Sequence, residues 1–173
     1  MRLTALTALL ALTTLTSCTI GPGDYAVLRI AAVKTPILSA SCYQDGVIDP
    51  NVAMDNYEVR AGDSLAIFAS DKETYWLEWT SASVSIEGSR DGKDYHFNGI
   101  DTDVQEPAMG ERTTQNTEHD VQITITGSSV TGQYLVKQSC MSTIPNVCPY
   151  ESCVSTVDFV GTVVKGVELE HGI

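Results

Sequence analysis

The sequence predicts an all-β domain folded as a small antiparallel barrel, and three observations lead there. Short runs rich in β-favouring residues alternate apolar with polar side chains, most clearly at Val121-Gln122-Ile123-Thr124-Ile125-Thr126. That two-residue period marks a strand with one face in a core and one in water. Turn residues separate the runs at short intervals, with Asp91-Gly92 and Gly127-Ser128-Ser129 as hairpin signals. Beyond residue 24 no segment of useful length carries the 3.6-residue apolar period of an amphipathic helix.

Taken in order, Tyr25 to Val33 is apolar almost throughout, as expected of a strand buried on both faces or at a barrel seam. Lys34 to Asn56 contains Pro36, Asp45-Gly46 and Asp49-Pro50, and reads as irregular with one short strand near Ser39 to Tyr43. Tyr57 to Arg60 alternates, Ala61-Gly62-Asp63 turns, and Leu65 to Ala69 forms the next run. In Thr74 to Thr80, Tyr75, Leu77 and Trp79 share one face while Trp76 and Glu78 share the other. Val84 and Ile86 alternate with serines, and Asp91-Gly92 turns into Tyr95-His96-Phe97. Ile100 to Asp120 is polar, carries Pro107 and Gly110, and reads as a long surface loop. Loops of that length are functional or disordered. Val121 to Thr126 and Val130 to Gln138 form a strand pair. A cysteine loop follows from Ser139 to Ser152, and a last strand runs from Val154 to Val164. The tail from Val167 to Ile173 adds an edge strand in this reading.

The N-terminus fixes the setting. Arg2 is followed by an uncharged Leu/Ala/Thr-rich run from Leu3 to Thr16, then by Ser17 and Cys18. A basic start, a short apolar segment and a small residue at the cleavage point make a secretory signal, and the run is too short to span a bilayer. Leu15-Thr16-Ser17-Cys18 resembles the lipobox of bacterial lipoproteins. The resemblance implies removal of residues 1–17, lipidation of Cys18 by three acyl chains, and permanent anchoring, since two or more chains hold stably. Thr19 stands where members of that family retained in the inner membrane carry Asp, which implies the outer membrane. Residues 18–24 then form a lipidated tether reaching roughly 20 Å when extended, and 25–173 a single β-domain.

Charge and cysteines narrow the partners. The chain holds 10 Lys+Arg against 22 Asp+Glu, a net charge of −12, and losing Arg2 makes it one more negative. Such a surface repels phosphate backbones, so nucleic acid is excluded as a partner. It also offers no basic patch for anionic lipid, which leaves the lipid on Cys18 as the attachment to the membrane. With Cys18 lipidated, the even set Cys42, Cys140, Cys148 and Cys153 points to two disulfides in an exported chain, with three possible pairings. The favoured pairing is Cys140 with Cys153, closing a hairpin base, and Cys42 with Cys148.

The barrel reading is similar to the lipocalin-like domains found among bacterial lipoproteins. The alternative is an immunoglobulin-like β-sandwich, for which Cys42, Trp76 or Trp79, and Cys140 stand in the required order.

Two candidate sites emerge. A barrel interior lined by Tyr75, Leu77 and Trp79 would bind an apolar ligand, while Trp76 would meet membrane or partner. Asp91, Asp94, Asp101 and Asp103, with Glu106 nearby, would offer oxygen ligands for Ca²⁺, although Asp101-Thr102-Asp103 lacks the Gly and distal Glu of an EF-hand loop. A solvated acidic loop and plain core packing are the simpler accounts of these two sets. Catalytic patterns are missing: there is no Gly-x-Ser-x-Gly, His-Glu-x-x-His or phosphate-binding Gly-rich loop. The histidines His96, His119 and His171 are assigned no catalytic role, and no cofactor beyond Ca²⁺ is implied. The expected function is a membrane-anchored envelope lipoprotein with a non-catalytic binding or structural role, its partner a small apolar ligand or a protein. A periplasmic hydrolase and a Ca²⁺-dependent adhesion module are the alternatives.

Overall fold

The computed structural model describes residues 20–44, 47–48, 59–79, 84–145, 147–148 and 152–167. The strands are β1 (Tyr25–Ala32), β2 (Ile37–Leu38), β3 (Tyr43–Gln44), β4 (Val47–Ile48), β5 (Asp63–Ala69), β6 (Tyr75–Trp79), β7 (Val84–Asp91), β8 (Asp94–Gln105), β9 (Thr113–Thr126), β10 (Ser129–Ser142) and β11 (Ser152–Val164). A 3-10 turn, Ala40–Cys42, precedes β3.

Eight strands close an antiparallel up-and-down barrel in the order β1-β5-β6-β7-β8-β9-β10-β11, with β11 returning to β1. Closure runs from Val27↔Val164 to Ala32↔Phe159, so β1 is the seam strand. β2 adds a ninth strand on β11 beside β1, with Thr156 opposite Ile37. β3 and β4 form a separate two-residue pair. This is the small lipocalin-like barrel expected, and closure of one sheet on itself replaces the sandwich alternative.

Alternation decides which side chains fill the barrel. Tyr75, Leu77 and Trp79 of β6 point inward and are buried, as do Val121, Ile123 and Ile125 of β9 and Val157 and Phe159 of β11. Eight strands leave an interior just wide enough to be filled by side chains. Large aromatic rings fill this one: Trp79 lies 4.6 Å from Tyr134 centroid to centroid, and Tyr75 meets Tyr95 edge-on at 5.4 Å. Trp76 lies outside and stacks on Phe68 at 6.5 Å. Two tight hairpins join β7 to β8 and β9 to β10. Each places a glycine first in its turn at positive φ, Gly92 at 59° and Gly127 at 62°, matching the right-handed strand twist.

Three expectations are corrected. The polar stretch Ile100 to Asp120 is not a loop. It is mostly the distal halves of β8 and β9, paired from Gly99↔His119 to Gln105↔Thr113, and only residues 106–112 connect them. Polar side chains hid it: β8 is exposed from Ile100 to Gln105, and the inward positions of β9 carry Thr113, Thr117 and His119 instead of apolar residues, so no apolar alternation appears and the backbone ladder holds the strands. β10 likewise runs on to Ser142, which shortens the cysteine loop.

The disulfides are Cys42–Cys153 and Cys140–Cys148, so the four cysteines pair as two bonds but in a different one of the three combinations from that expected. The register opposes Gln138 to Cys153, which makes Cys140 only a diagonal neighbour of Cys153. Diagonal positions lie about 7–8 Å apart, beyond disulfide reach. The 3-10 turn instead carries Cys42 to within a Cα separation of 4.7 Å of Cys153.

Residues 20–24, expected in an extended tether, are part of the barrel. Ile20 is buried in the core cluster. Gly23 N–H donates to the Ala69 carbonyl at 2.9 Å, Ala69 N–H donates back to Asp24 O at 3.1 Å, and the Asp24 carboxylate accepts from Gly21 N–H. Cys18, Thr19, His171 and the rest of the tail beyond Val167 lie outside the described residues.

Candidate functional site

Strand directions give the barrel two unlike ends. The proximal end gathers Ile20–Asp24, the Ser70–Thr74 turn, the two glycine hairpins and Lys165–Val167. Tyr25 closes it by donating its hydroxyl to the Val167 carbonyl at 2.6 Å. A shallow cleft of about 380 Å³ lies there between Ile20, Tyr25, Ile125, Val163 and Val167. The distal end holds both disulfides, the β3–β4 pair and the tip of the β8–β9 arm. Exposed apolar side chains gather there: Ile37, Val47, Val104, Met109 and Met141. Isolated apolar residues on a surface are ordinary, but several at one end mark a contact face.

The barrel mouth at this end is polar. His119 of β9 points inward and is only 1% exposed. Its Nδ1 lies 2.7 Å from the Tyr134 hydroxyl, and Asp101 of β8 brings Oδ2 to 3.3 Å from Nε2. Asp101 is on the inward face because β8 alternates in from Tyr95 and Phe97. The arrangement suits a neutral ring that accepts from the tyrosine hydroxyl and turns N–H toward the carboxylate. Burial holds the His119 pKa below the ordinary histidine value, and the Asp101 charge and its hydrogen bonding oppose the shift without cancelling it. Gln138, Ser155 and Thr113 are buried nearer the distal rim, where Thr113 shares a hydroxyl hydrogen bond with Ser142 at 2.8 Å. Sequence inspection passed over this set, because Asp101, His119 and Tyr134 come from three strands and only the inward parity of β8, β9 and β10 joins them.

The buried histidine makes stability depend on pH. Its folded pKa lies below the unfolded value of about 6.5, so the unfolded chain takes up a proton first as pH falls. The contribution of neutral His119 is complete above pH 6.5 and declines below it until the folded pKa is passed. NMR titration should show His119 protonating below the ordinary histidine value of about 6.5. The denaturation midpoint should fall on acidification from neutrality, and a His119→Asn variant should lose that part of the slope. Protonation of His119 at or above the ordinary histidine value would sink the assignment.

The anticipated sites fare differently. Tyr75, Leu77 and Trp79 do share one inward face, yet the space before them is occupied by Tyr95, Phe97 and Tyr134. The four aspartates do not meet. Asp91 and Asp94 close the proximal hairpin, where Asp94 accepts from Thr124 at 2.6 Å. Asp101 and Asp103 lie seven and nine residues further along one extended strand, roughly 20–30 Å away. Among the described residues no three His, Cys, Asp or Glu side chains converge as metal ligands. His96 pairs with Asp120 at 3.1 Å on the outer wall, a half-exposed contact of small energetic weight. No protein-family model, no curated protein and no solved structure matches this chain, so its function rests on the barrel's own geometry.

Proposed function

We propose that this chain is a lipid-anchored protein of the bacterial cell envelope, held at the outer membrane through Cys18, whose barrel is a non-catalytic module for binding another protein. The observation that carries the reading is the polarity of the barrel. Ile20 is fastened into the proximal end, two residues from Cys18, so the anchor attaches within roughly 7 Å of the folded body. The distal end, with its apolar side chains and projecting arm, then points away from the lipid. The filled interior favours a protein partner over an apolar ligand carried inside. His119 is enclosed by Tyr134 and Asp101, and its burial suits a brace across the barrel mouth better than a proton donor to substrate.

Changing Cys18→Ser tests the anchor in a lipoprotein-processing host. The variant should leave the membrane fraction or accumulate with residues 1–17 attached, while the wild type sediments with membranes and gains the mass of three acyl chains. Cleavage at the same bond and continued sedimentation of the variant would overturn it.

A further inference from the structure

We propose that the outer wall of β1, β5 and β6 at the proximal end, built on Tyr25, Phe68 and Trp76, seats in the headgroup layer of the bilayer that holds Cys18. The proposal rests on the lipid-anchor reading above and adds which wall of the barrel faces the membrane.

Alternation builds the wall. Leu28, Leu65, Ile67, Tyr75 and Leu77 are turned into the core, so their neighbours along each strand point outward. Register then sets these neighbours in two rows. Tyr25 stands opposite Phe68, and Phe68 opposite Trp76, with the Phe68 and Trp76 rings stacked. In the second row Val27 stands between Ala66 and Val164. All six side chains are half-buried. They cover one another and form a single apolar surface rather than scattered residues. Exposed Arg29 bounds this surface on the distal side, and exposed Glu87 stands opposite Trp76. The far side of the barrel is different. There Ser89, His96, Gln122, Gln133 and Asp158 stand opposite one another in turn across five strands, and the row is polar throughout.

Position selects the occupant. Ala69, next to Phe68, exchanges hydrogen bonds with Gly23 and Asp24, so the aromatic row is the first beyond the segment that leads to Cys18. An anchor within roughly 7 Å of the folded body gives the bilayer a higher effective concentration at this row than any partner in solution. The two rows lie two residues apart along the strands, about 7 Å, and interfacial apolar faces sink about 5–10 Å into the boundary between headgroups and acyl chains. Trp and Tyr rings favour that layer because each joins an apolar body to a polar tip. Charge selects the lipid. At the rim Lys72 and Lys165 are set among Asp24, Asp71 and Glu73, all exposed. With no excess of positive charge there, the contact draws on apolar burial and needs no anionic headgroup.

The test uses the acylated chain from a lipoprotein-processing host, reconstituted in vesicles of phosphatidylcholine and phosphatidylethanolamine in which part of the lipid carries a nitroxide near the headgroup. Nitroxide quenches indole emission on close approach, and Trp79, buried inside the barrel, serves as the internal reference. The wild type should lose the Trp76 part of its emission, and Trp76→Phe, which keeps an aromatic ring on the wall, should abolish the quenching. In the double variant Trp76→Phe/Gln122→Trp the new indole lies on the polar side and should stay bright. Adding anionic phospholipid should change none of this. Acylated, vesicle-bound chain with unquenched Trp76 would overturn the proposal and leave the anchor standing, whether a protein segment or a second copy covers the wall. Equal quenching at positions 76 and 122 would also overturn it, since the barrel would then rest on no particular side, and so would quenching that appears only with anionic lipid. A chain that gains no acyl mass and leaves the vesicles would overturn the anchor and the seated wall together.

Discussion

Replacing Cys42 and Cys153 together by alanine should lower the unfolding free energy by about 4–5 kcal/mol, whereas the Cys140→Ala/Cys148→Ala pair should lose only about 2–3 kcal/mol. The difference follows from loop length. Cys42 and Cys153 are 111 residues apart in sequence and Cys140 and Cys148 only 8, and cross-linking distant positions removes more freedom from the unfolded chain. The long bridge also has a local task. Cys42 and Cys153 are fully buried and form their own small cluster with Leu38, where the Ser39 N–H donates to the Val154 carbonyl at 2.8 Å. Without the bridge, β2 and the 3-10 turn keep little besides two residues of pairing on β11. Urea unfolding of the oxidised variants measures the ordering, and amide exchange over residues 37–43 reads the local loosening. Equal losses for the two pairs would refute the loop-length account.

That pairing illustrates what could and could not be read in the chain. Alternation in Val121 to Thr126 and the Asp91-Gly92 turn are local signals, and they located β9 and the β7–β8 hairpin because burial on one face writes itself into every second residue. Inward placement of Tyr75, Leu77 and Trp79 followed from the same rule. The extension of β8 and β9 through Asp101, Thr102, Asn116 and Thr117 left no such trace. Its side chains are polar on both faces, including the inward ones, and its strand character is held by the β8–β9 and β9–β10 backbone ladders, which no side-chain pattern records. Disulfide partners and the Asp101–His119–Tyr134 set are properties of register between strands. A shift of one residue reverses every inward position, so neither could be fixed before the ladder was known. The Ile20–Asp24 latch was missed for another reason: Gly21-Pro22-Gly23 stops a helix, but it does not say whether the chain then docks or hangs free.

Truncating Trp79 to alanine should cost about 3–5 kcal/mol and turn a filled barrel into one that takes up an apolar guest. Trp79 has no exposed surface and packs against Tyr134 at a 50° tilt, with Leu65 directly across the β5–β6 ladder. Closed barrels relax little around a lost side chain, because each strand is pinned on both sides, so most of the indole volume should persist as a cavity. Apolar cavities of that kind stay dry and accept small aromatic molecules. The wild-type chain, residues 19–173 purified from an oxidising compartment, should give a bare native mass four hydrogens below the fully reduced chain, with or without Ca²⁺. Trp79→Ala should show saturable binding of indole and recover thermal stability as indole is added. The two results together separate the readings of the interior. If the wild type retained an apolar molecule that left on denaturation, the barrel would be a carrier and the distal arm an accessory. If the variant were destabilised but bound nothing, the wall would have collapsed on the gap, and the tight closure inferred from β1–β11 pairing would be too rigid a picture. A bare wild type and an indole-binding variant would place recognition on the outside of the barrel.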